Sequence, residues 1–278
     1  QTADDGPGFL FINRGYNSVF QPNHLNLGLV VPLETCSHGP APTMTRHLEC
    51  VQLAEQLRFA AVWLRDMPFN VPSFGDAGQM YDPFVYLGLL AGQTNRIALG
   101  VASIVLPLRH PAHVAKAAAS VDELSGGRLI LGVASGDRPD EYPALNLPFA
   151  ERGARFRASF DYIERMWEDA PAFENPYGSP HGGMDMLPKP TTARLPLLIT
   201  GGSQQDPDWI AQHGDGWITY PRGIAAQARI INDWRTRVEA VGGSNKPAVQ
   251  SLYVDLTKDP QTPPQPIHLG FRLGANHL

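Results

Sequence analysis

The chain is short of charge. Only 18% of its residues are Asp, Glu, Lys or Arg, where about 25% is usual. No basic run occurs, and 22 Lys+Arg stand against 27 Asp+Glu, a formal charge of −5. Such a chain offers no footprint to nucleic acid or to an anionic membrane surface. Cysteine is scarcer still, with Cys36 and Cys50 alone. They form no Cys-x-x-Cys pair, and the nine histidines fall into no His-Glu-x-x-His cluster, so no metal site is expected. Two isolated thiols read as free cysteines in a reducing compartment. The longest apolar stretch, near Phe84 to Ala91, falls well short of the ~20 residues of a membrane span. The chain starts at Gln1 with no basic segment ahead of an apolar core, so no retained signal peptide is read and a cytoplasmic protein is expected. Also missing are a Gly-x-Ser-x-Gly elbow and a Gly-x-Gly-x-x-Gly after the first strand. A serine-hydrolase nucleophile and a Rossmann dinucleotide site are therefore unsupported.

What the chain does have is alternation. Residues 1–25 are polar and rich in Gly and Asn and read as an N-terminal arm; residues 26–278 read as one domain. Short apolar runs begin at Leu27, Ala60, Ile97, Leu129, Leu197, Trp217 and Val249. Between them lie amphipathic stretches from about Thr43, Asp82, Pro111, Glu151, Trp209 and Ala225. The stretch at Pro111 opens on a residue suited to a first helical turn. It closes at Gly126-Gly127, where a left-handed cap forms easily. The stretch at Glu151 carries Phe156, Phe160, Ile163 and Trp167 on one face. Residues 171–195 show no period. Near-continuous apolar runs separated by helices mean a parallel sheet covered on both faces. The expectation is an α/β chain, a (β/α)8 TIM barrel with insertions. Beyond Leu256 only Ile267 to Phe271 is strand-like, so the C-terminal βα unit is incomplete in this chain.

Ligands of such barrels sit at the carboxyl ends of the strands. Ser135-Gly136 and Gly201-Gly202-Ser203 leave backbone amides open to an anion, the second just ahead of a helix N-terminus, although Gly-Gly turns are also common as plain turns. Arg222 either adds charge to that seat or is a solvated loop arginine. Ala102-Ser103 either rests a flat ring or packs strand ends closely. Asp66 and Arg65 follow the second strand as an acid/base and its partner, or as a structural pair; Glu34 has the same status. Asp122, Ser125 and Arg128 lie on the opposite, stability face and read as capping and ion-pair residues. The loop 67–80 mixes aromatics with glycine and reads as a lid over an apolar pocket, with Phe69, Phe74 and Tyr81 facing a small apolar or aromatic substrate.

Two blocks carry a resemblance. His110-Pro111-Ala-His-Val-Ala115-Lys116 through Asp122-Glu-Leu-Ser125-Gly126-Gly127-Arg128-Leu-Ile-Leu-Gly132-Val133-Ala-Ser135-Gly136 is the first. Gly201-Gly202-Ser203 followed by Trp209-Ile-Ala-Gln-His-Gly214-Asp215-Gly216-Trp217 is the second. In this order, and over Leu27 to Val254, the chain resembles the luciferase-like flavin-dependent oxidoreductases. The resemblance implies a TIM barrel that binds FMN, or in some branches a deazaflavin, at the carboxyl face. It implies a non-prolyl cis peptide at Ala102-Ser103 under the flavin ring. It places the phosphate at Gly202, Ser203 and Gln204, with Ser135 and Gly136 nearby. It further implies a small-molecule substrate, a separate flavin reductase and a homodimer. Two positions depart from the family. The histidine that follows the second strand in bacterial luciferase is matched by Arg65-Asp66, and a tyrosine near the start of the long helix is matched by Phe156. The reading is an FMNH2/O2 monooxygenase. The alternatives are deazaflavin-dependent hydride transfer and non-catalytic flavin binding.

Overall fold

The apolar runs become a curled parallel sheet. A computed structural model describes residues 8–34, 41–74 and 81–277; Cys36 and the loop residues 75–80 lie outside them. Seven strands follow one another in chain order: β1 (Gly28–Val30), β2 (Ala61–Leu64), β3 (Ala98–Val105), β4 (Leu129–Ala134), β5 (Leu197–Thr200), β6 (Gly216–Thr219) and β7 (Ala248–Gln250). Every neighbouring pair is parallel. Among the described residues β1 and β7 each keep one unpaired edge, so the barrel stands open on one side.

The crossovers carry α2 (His47–Gln56), α3 (Pro83–Gln93), α4 (Pro111–Ser125), α6 (Arg152–Met166), α7 (Pro207–His213) and α8 (Ile224–Ala240). A single turn, α5 (Glu141–Ala144), precedes α6. Local chemistry sets the helix ends. Asp82 accepts the N–H groups of Phe84 and Val85 at the start of α3. Gly126 adopts φ +65° after α4, which a side-chain-bearing residue takes up only at a cost. The long run from Val249 to Leu256 divides at Ser251-Leu252. Its second half, β8 (Tyr253–Leu256), leaves the barrel and pairs with β10 (Gly270–Leu273), which also pairs with β9 (Gln265–Ile267). The segment Ile267 to Phe271 thus belongs to this small separate sheet. No helix among the described residues is long and apolar enough to cross a membrane.

Strand alternation sorts the core into two layers. Val62, Leu64, Leu99, Val101, Leu131, Val133, Leu197 and Ile199 point outward under the helices. Ala61, Trp63, Ala98, Ile130, Leu198 and Ile218 point inward. The indole of Trp63 fills the interior because its neighbours are glycines. A Cβ on Gly100 would stand 2.3 Å from Trp63 Cε3, and one on Gly28 would stand 2.6 Å from Trp63 Nε1.

The N-terminal segment closes the amino end of the barrel. Helix α1 (Arg14–Val19) is capped by Asn13, and Ile12, Tyr16, Val19 and Phe20 join the inward layer. Each such side chain contributes about 1.5–3 kcal/mol by burial. Asn13 Nδ2 donates to Asp122 Oδ1 (3.1 Å) and to the carbonyl of Leu129 (2.8 Å). Tyr16 donates its hydroxyl to the carbonyl of Asp215 (2.8 Å). Gly15 lies so close to strand β4 that a Cβ there would sit 2.5 Å from the Arg128 carbonyl oxygen. So residues 12–20, within the stretch expected as an arm, form a plug.

The same end explains the Asp122 to Arg128 motif. Asp122 accepts from Asn13 and Thr191. Ser125 donates to the Asp122 carbonyl. Among the described residues the expected ion pair is not formed: the Arg128 guanidinium donates to the carbonyls of Ala91, Thr94, Ile97 and Ser125 and to the Thr94 hydroxyl. Five acceptors keep this buried charge hydrogen-bonded without a carboxylate.

Candidate functional site

At the carboxyl end of β3 the register shifts between Val101 and Ile104. This irregularity turns both Ala102 and Ser103 toward the interior. The peptide bond between them is cis, where the resemblance implies one. Ser103 Oγ and Thr200 Oγ1, at the ends of β3 and β5, are hydrogen-bonded to each other. They meet above Gly132 of β4. A Cβ on Gly132 would lie 2.2 Å from the Val101 carbonyl oxygen, 2.8 Å from Ile218 Cδ1 and 3.2 Å from Ser103 Oγ.

Next to this floor the chain makes a tight turn after β5. Gly201, Ser203 and Gln204 have φ of +55°, +43° and +58°, and a Cβ on Gly202 would meet no atom within 4 Å. Ser203 Oγ donates to the Thr200 carbonyl (2.7 Å), and Trp217 Nε1 donates to the Gly201 carbonyl (2.9 Å). Gln205 Nε2 donates to the carbonyls of Gly153 and Ser203. Among the described residues no acceptor engages the N–H groups of Gly202, Ser203 and Gln204. The start of α6 abuts the turn, since a Cβ on Gly153 would lie 2.8 Å from Gln204 Cβ. Consecutive open amides beside the amino end of a fifteen-residue helix form a concavity for an anion.

Ser135 and Gly136 sit across the mouth at the end of β4. Ser135 is buried, and its carbonyl accepts from Tyr142 Oη. Gly136 has φ +79°, and a Cβ there would stand 2.7 Å from Val105 Cγ1. Arg222 folds back on its own strand end, donating to Thr219 Oγ1 and to the Tyr220 carbonyl, both at 2.8 Å.

Asp66 is engaged by Arg109, which reaches Oδ2 through Nε (3.0 Å) and Oδ1 through Nη2 (2.7 Å). The Val105 N–H adds a third bond to Asp66 (3.1 Å). Arg109 Nη2 also donates to Asp82 Oδ2 (2.9 Å). Asp66 precedes the lid segment and Asp82 follows it, so one guanidinium holds both roots. Burial raises the Asp82 carboxyl, but Arg109 and the α3 amides outweigh it and hold the group below its ordinary range. Arg65 is half-buried. Glu34 accepts from the Thr43 N–H and hydroxyl and from the Met44 N–H, tying its own loop.

The lid aromatics part company. The Arg138 guanidinium lies 4.4 Å from the centre of the Phe74 ring. Tyr81 instead packs edge-on against Tyr86 and His47 (5.4 and 5.8 Å between centroids). Phe69 is exposed. Below Arg138 stands a carboxyl that sequence reasoning passed over. Glu141 is 2% exposed, and its Oε1 has no hydrogen-bond partner among the described residues. Burial pushes it up to about 7; Arg138 works against this, and Asp66 and Asp137 add to it. The signal was the acidic cluster Asp137, Asp140 and Glu141 directly after Gly136, hidden by a single helical turn too short for any period. Among the described residues no group of three or more His, Cys, Asp or Glu is arranged to hold a metal ion.

The sequence profile described as luciferase-like monooxygenase matches residues 25–259. An uncharacterized protein of Mycobacterium tuberculosis is 33% identical over 162 residues, 55% of this chain and 57% of its own length. The F420-dependent hydroxymycolic acid dehydrogenase of the same organism is 31% identical over 189 residues, 66% of this chain and 49% of its own length. The chain thus spans about half the length of the curated relatives it matches. Among solved structures, monooxygenase RslO1 from Streptomyces bottropensis superimposes with a TM-score of 0.73 at 22% identity, covering 85% of this chain and 73% of its own. The oxygenating constituent of 3,6-diketocamphane monooxygenase from Pseudomonas putida, in complex with FMN, gives 0.70 at 16% identity, covering 84% and 68%.

Proposed function

Because the chain belongs to the luciferase-like monooxygenase family, we propose that it is a flavin-dependent oxidoreductase that oxidises a small organic substrate with reduced FMN and oxygen. The observation that carries this reading is the open amide turn at Gly202, Ser203 and Gln204 beside the start of α6. Three N–H groups without acceptors among the described residues fit a phosphate monoester. When bound, FMN supplies the two-electron chemistry toward oxygen and substrate.

The chain's own residues have separate parts. Gly202, Ser203 and Gln204 seat the phosphate, with Ser135 and Gly136 across the mouth and Arg222 on the rim. Ala102 and Ser103 support the ring. Phe74 and Phe69 face the substrate and exclude water, whereas Tyr81 packs on Tyr86 and His47 at the far root of the lid. Asp66, spent on Arg109, anchors the lid, with Arg65 beside it. The proton-carrying part expected of Asp66 falls instead to Glu141, whose Oε1 has no hydrogen-bond partner among the described residues and whose carboxyl exchanges its proton near neutrality. Reduced cofactor comes from a separate reductase, since no dinucleotide motif is present. The description of the Pseudomonas putida protein as an oxygenating constituent supports that division. A homodimer forms through α2 and α3, neighbouring helices whose Leu53, Val85 and Leu89, with Leu57 just past α2, face outward.

The test is a fluorescence titration with FMN and with riboflavin, which lacks only the phosphate. FMN should bind at least about tenfold more tightly, and Ser203→Asp should erase that gap by placing a negative charge in the seat. Equal affinity for both ligands would move the phosphate elsewhere. Deazaflavin-dependent hydride transfer is the second reading, favoured by the 31% identity to an F420-dependent dehydrogenase.

A further inference from the structure

The three open amides of the turn after β5 are each aimed from behind. In a trans peptide the C=O and the N–H point to opposite sides of one rigid plane, so whatever holds the carbonyl sets the direction of the N–H. The N–H of Gly202 shares its plane with the carbonyl of Gly201, which accepts from Trp217 Nε1 (2.9 Å). The N–H of Ser203 shares its plane with the carbonyl of Gly202, which accepts from the backbone N–H of Gln205 (2.8 Å). The N–H of Gln204 shares its plane with the carbonyl of Ser203, which accepts from Gln205 Nε2 (3.1 Å). The turn needs this support. Ser203 and Gln204 both stand at positive φ, where central turn positions favour glycine, asparagine or aspartate. A serine and a glutamine persist there only when their surroundings impose it.

The two side-chain donors are themselves fixed. The Trp217 ring stacks on Trp234, with 5.7 Å between centroids. Gln205 Oε1 accepts from Arg157 Nε (2.9 Å). A guanidinium can only donate, so the Gln205 amide is locked one way round. Its oxygen faces Arg157, and its two N–H bonds go to the carbonyls of Gly153 (2.9 Å) and Ser203. Gln205 thereby ties the turn to the first turn of α6. Arg157 is steadied in turn by Trp209, whose ring centre lies 4.8 Å from the guanidinium. We propose that Trp217 and Gln205 are positioning residues for the cofactor phosphate, which hold the amides of Gly202 and Gln204 toward it from behind without touching it. This rests on the phosphate seat proposed above. Amides already aimed need no ordering when the anion arrives. Each donor also polarises the peptide it binds, which strengthens the N–H on the far side. Both effects act on the phosphate, so a ligand that lacks one gains nothing from them.

The experiment titrates the full chain with FMN and with riboflavin, reads flavin fluorescence and follows the ratio of the two affinities. Gln205→Met keeps the length of the side chain and loses its donors. Trp217→Phe keeps a ring and loses the indole N–H. Each should cut the wild-type preference for FMN about three- to tenfold, with riboflavin affinity kept within about twofold. The double variant should cut it further. Melting curves check that the variants fold, and retained riboflavin binding is the second check. Should Trp217→Phe fail to fold, Gln205→Met decides alone. Variants that keep the full preference overturn the proposal and leave the phosphate seat intact. Variants that weaken both ligands alike overturn it too, because donors that merely support the fold would act on both. Equal affinity of the wild type for FMN and riboflavin overturns the seat itself.

Discussion

The Arg109 guanidinium and the Asp66 carboxylate meet edge to edge, with nitrogens at 3.0 and 2.7 Å from the two oxygens. Bidentate pairs of this kind fix orientation as well as charge. Through its second contact, to Asp82, Arg109 staples the two roots of the lid segment. Asp66→Asn should therefore loosen the lid and destabilise the fold by on the order of 2 kcal/mol. That is less than for a wholly buried pair, because the Arg109 side chain is 25% exposed. Chymotrypsin cleavage after Phe69 and Phe74 should accelerate. An unchanged melting temperature and cleavage rate would free Asp66 from this anchoring role and return it to the candidates for proton transfer.

Glu141 sets a pH signature. In the folded state its carboxyl holds a proton up to about pH 7, while in the unfolded chain it lets go near its ordinary value of about 4.3. Between those limits the folded state binds more protons, so stability from this group falls as pH rises and is lowest above the window. Glu141→Gln mimics the neutral acid. Its melting temperature should exceed that of wild type at pH 8, and the gap should narrow toward pH 5. A gap independent of pH would mean that Glu141 is ionised throughout.

The plug at the amino end of the barrel should matter for stability and little for ligands. Gly15→Ala drives a Cβ against a backbone carbonyl at 2.5 Å, which cannot yield as a flexible side chain would. A loss of about 3 kcal/mol or more is expected. Tyr16→Phe removes one buried hydrogen bond, at about 1 kcal/mol. In both variants that remain folded, FMN affinity should stay within about threefold of wild type. A larger change would couple the two ends of the barrel.

The exposed face of α2 and α3 predicts self-association. Leu57→Asp combined with Val85→Asp should shift the sedimentation coefficient from dimer to monomer with the fold intact by circular dichroism. An unaltered dimer would place the interface elsewhere.

Much of the scaffold was legible because it depends on local rules. Pro111 and Gly126 mark the ends of α4, as read, because a missing N–H and a tolerated positive φ are properties of single residues. The face of α6 was visible because Phe156, Phe160 and Ile163 repeat at helical spacing and are all buried. The plug was not legible, because Tyr16 finds its acceptor at Asp215, far along the chain, and its polar neighbours look like tail. The division of the run from Val249 to Leu256 was equally hidden: its composition is continuous, and only pairing partners separate β7 from β8. In the mouth, the tight turn at residues 201–204 could be read from its glycines. The surroundings of Asp66 and Glu141 could not, since one is decided by Arg109 arriving from the connection between β3 and α4 and the other by burial that no sequence window contains.

The indole of Trp217 is bonded to the carbonyl of Gly201, one residue from the open amides. That contact makes the protein its own optical gauge. An isoalloxazine lodged in the mouth absorbs where tryptophan emits. Trp217 would then lose emission in proportion to occupancy, and its lifetime would report residence of the ligand without any attached dye.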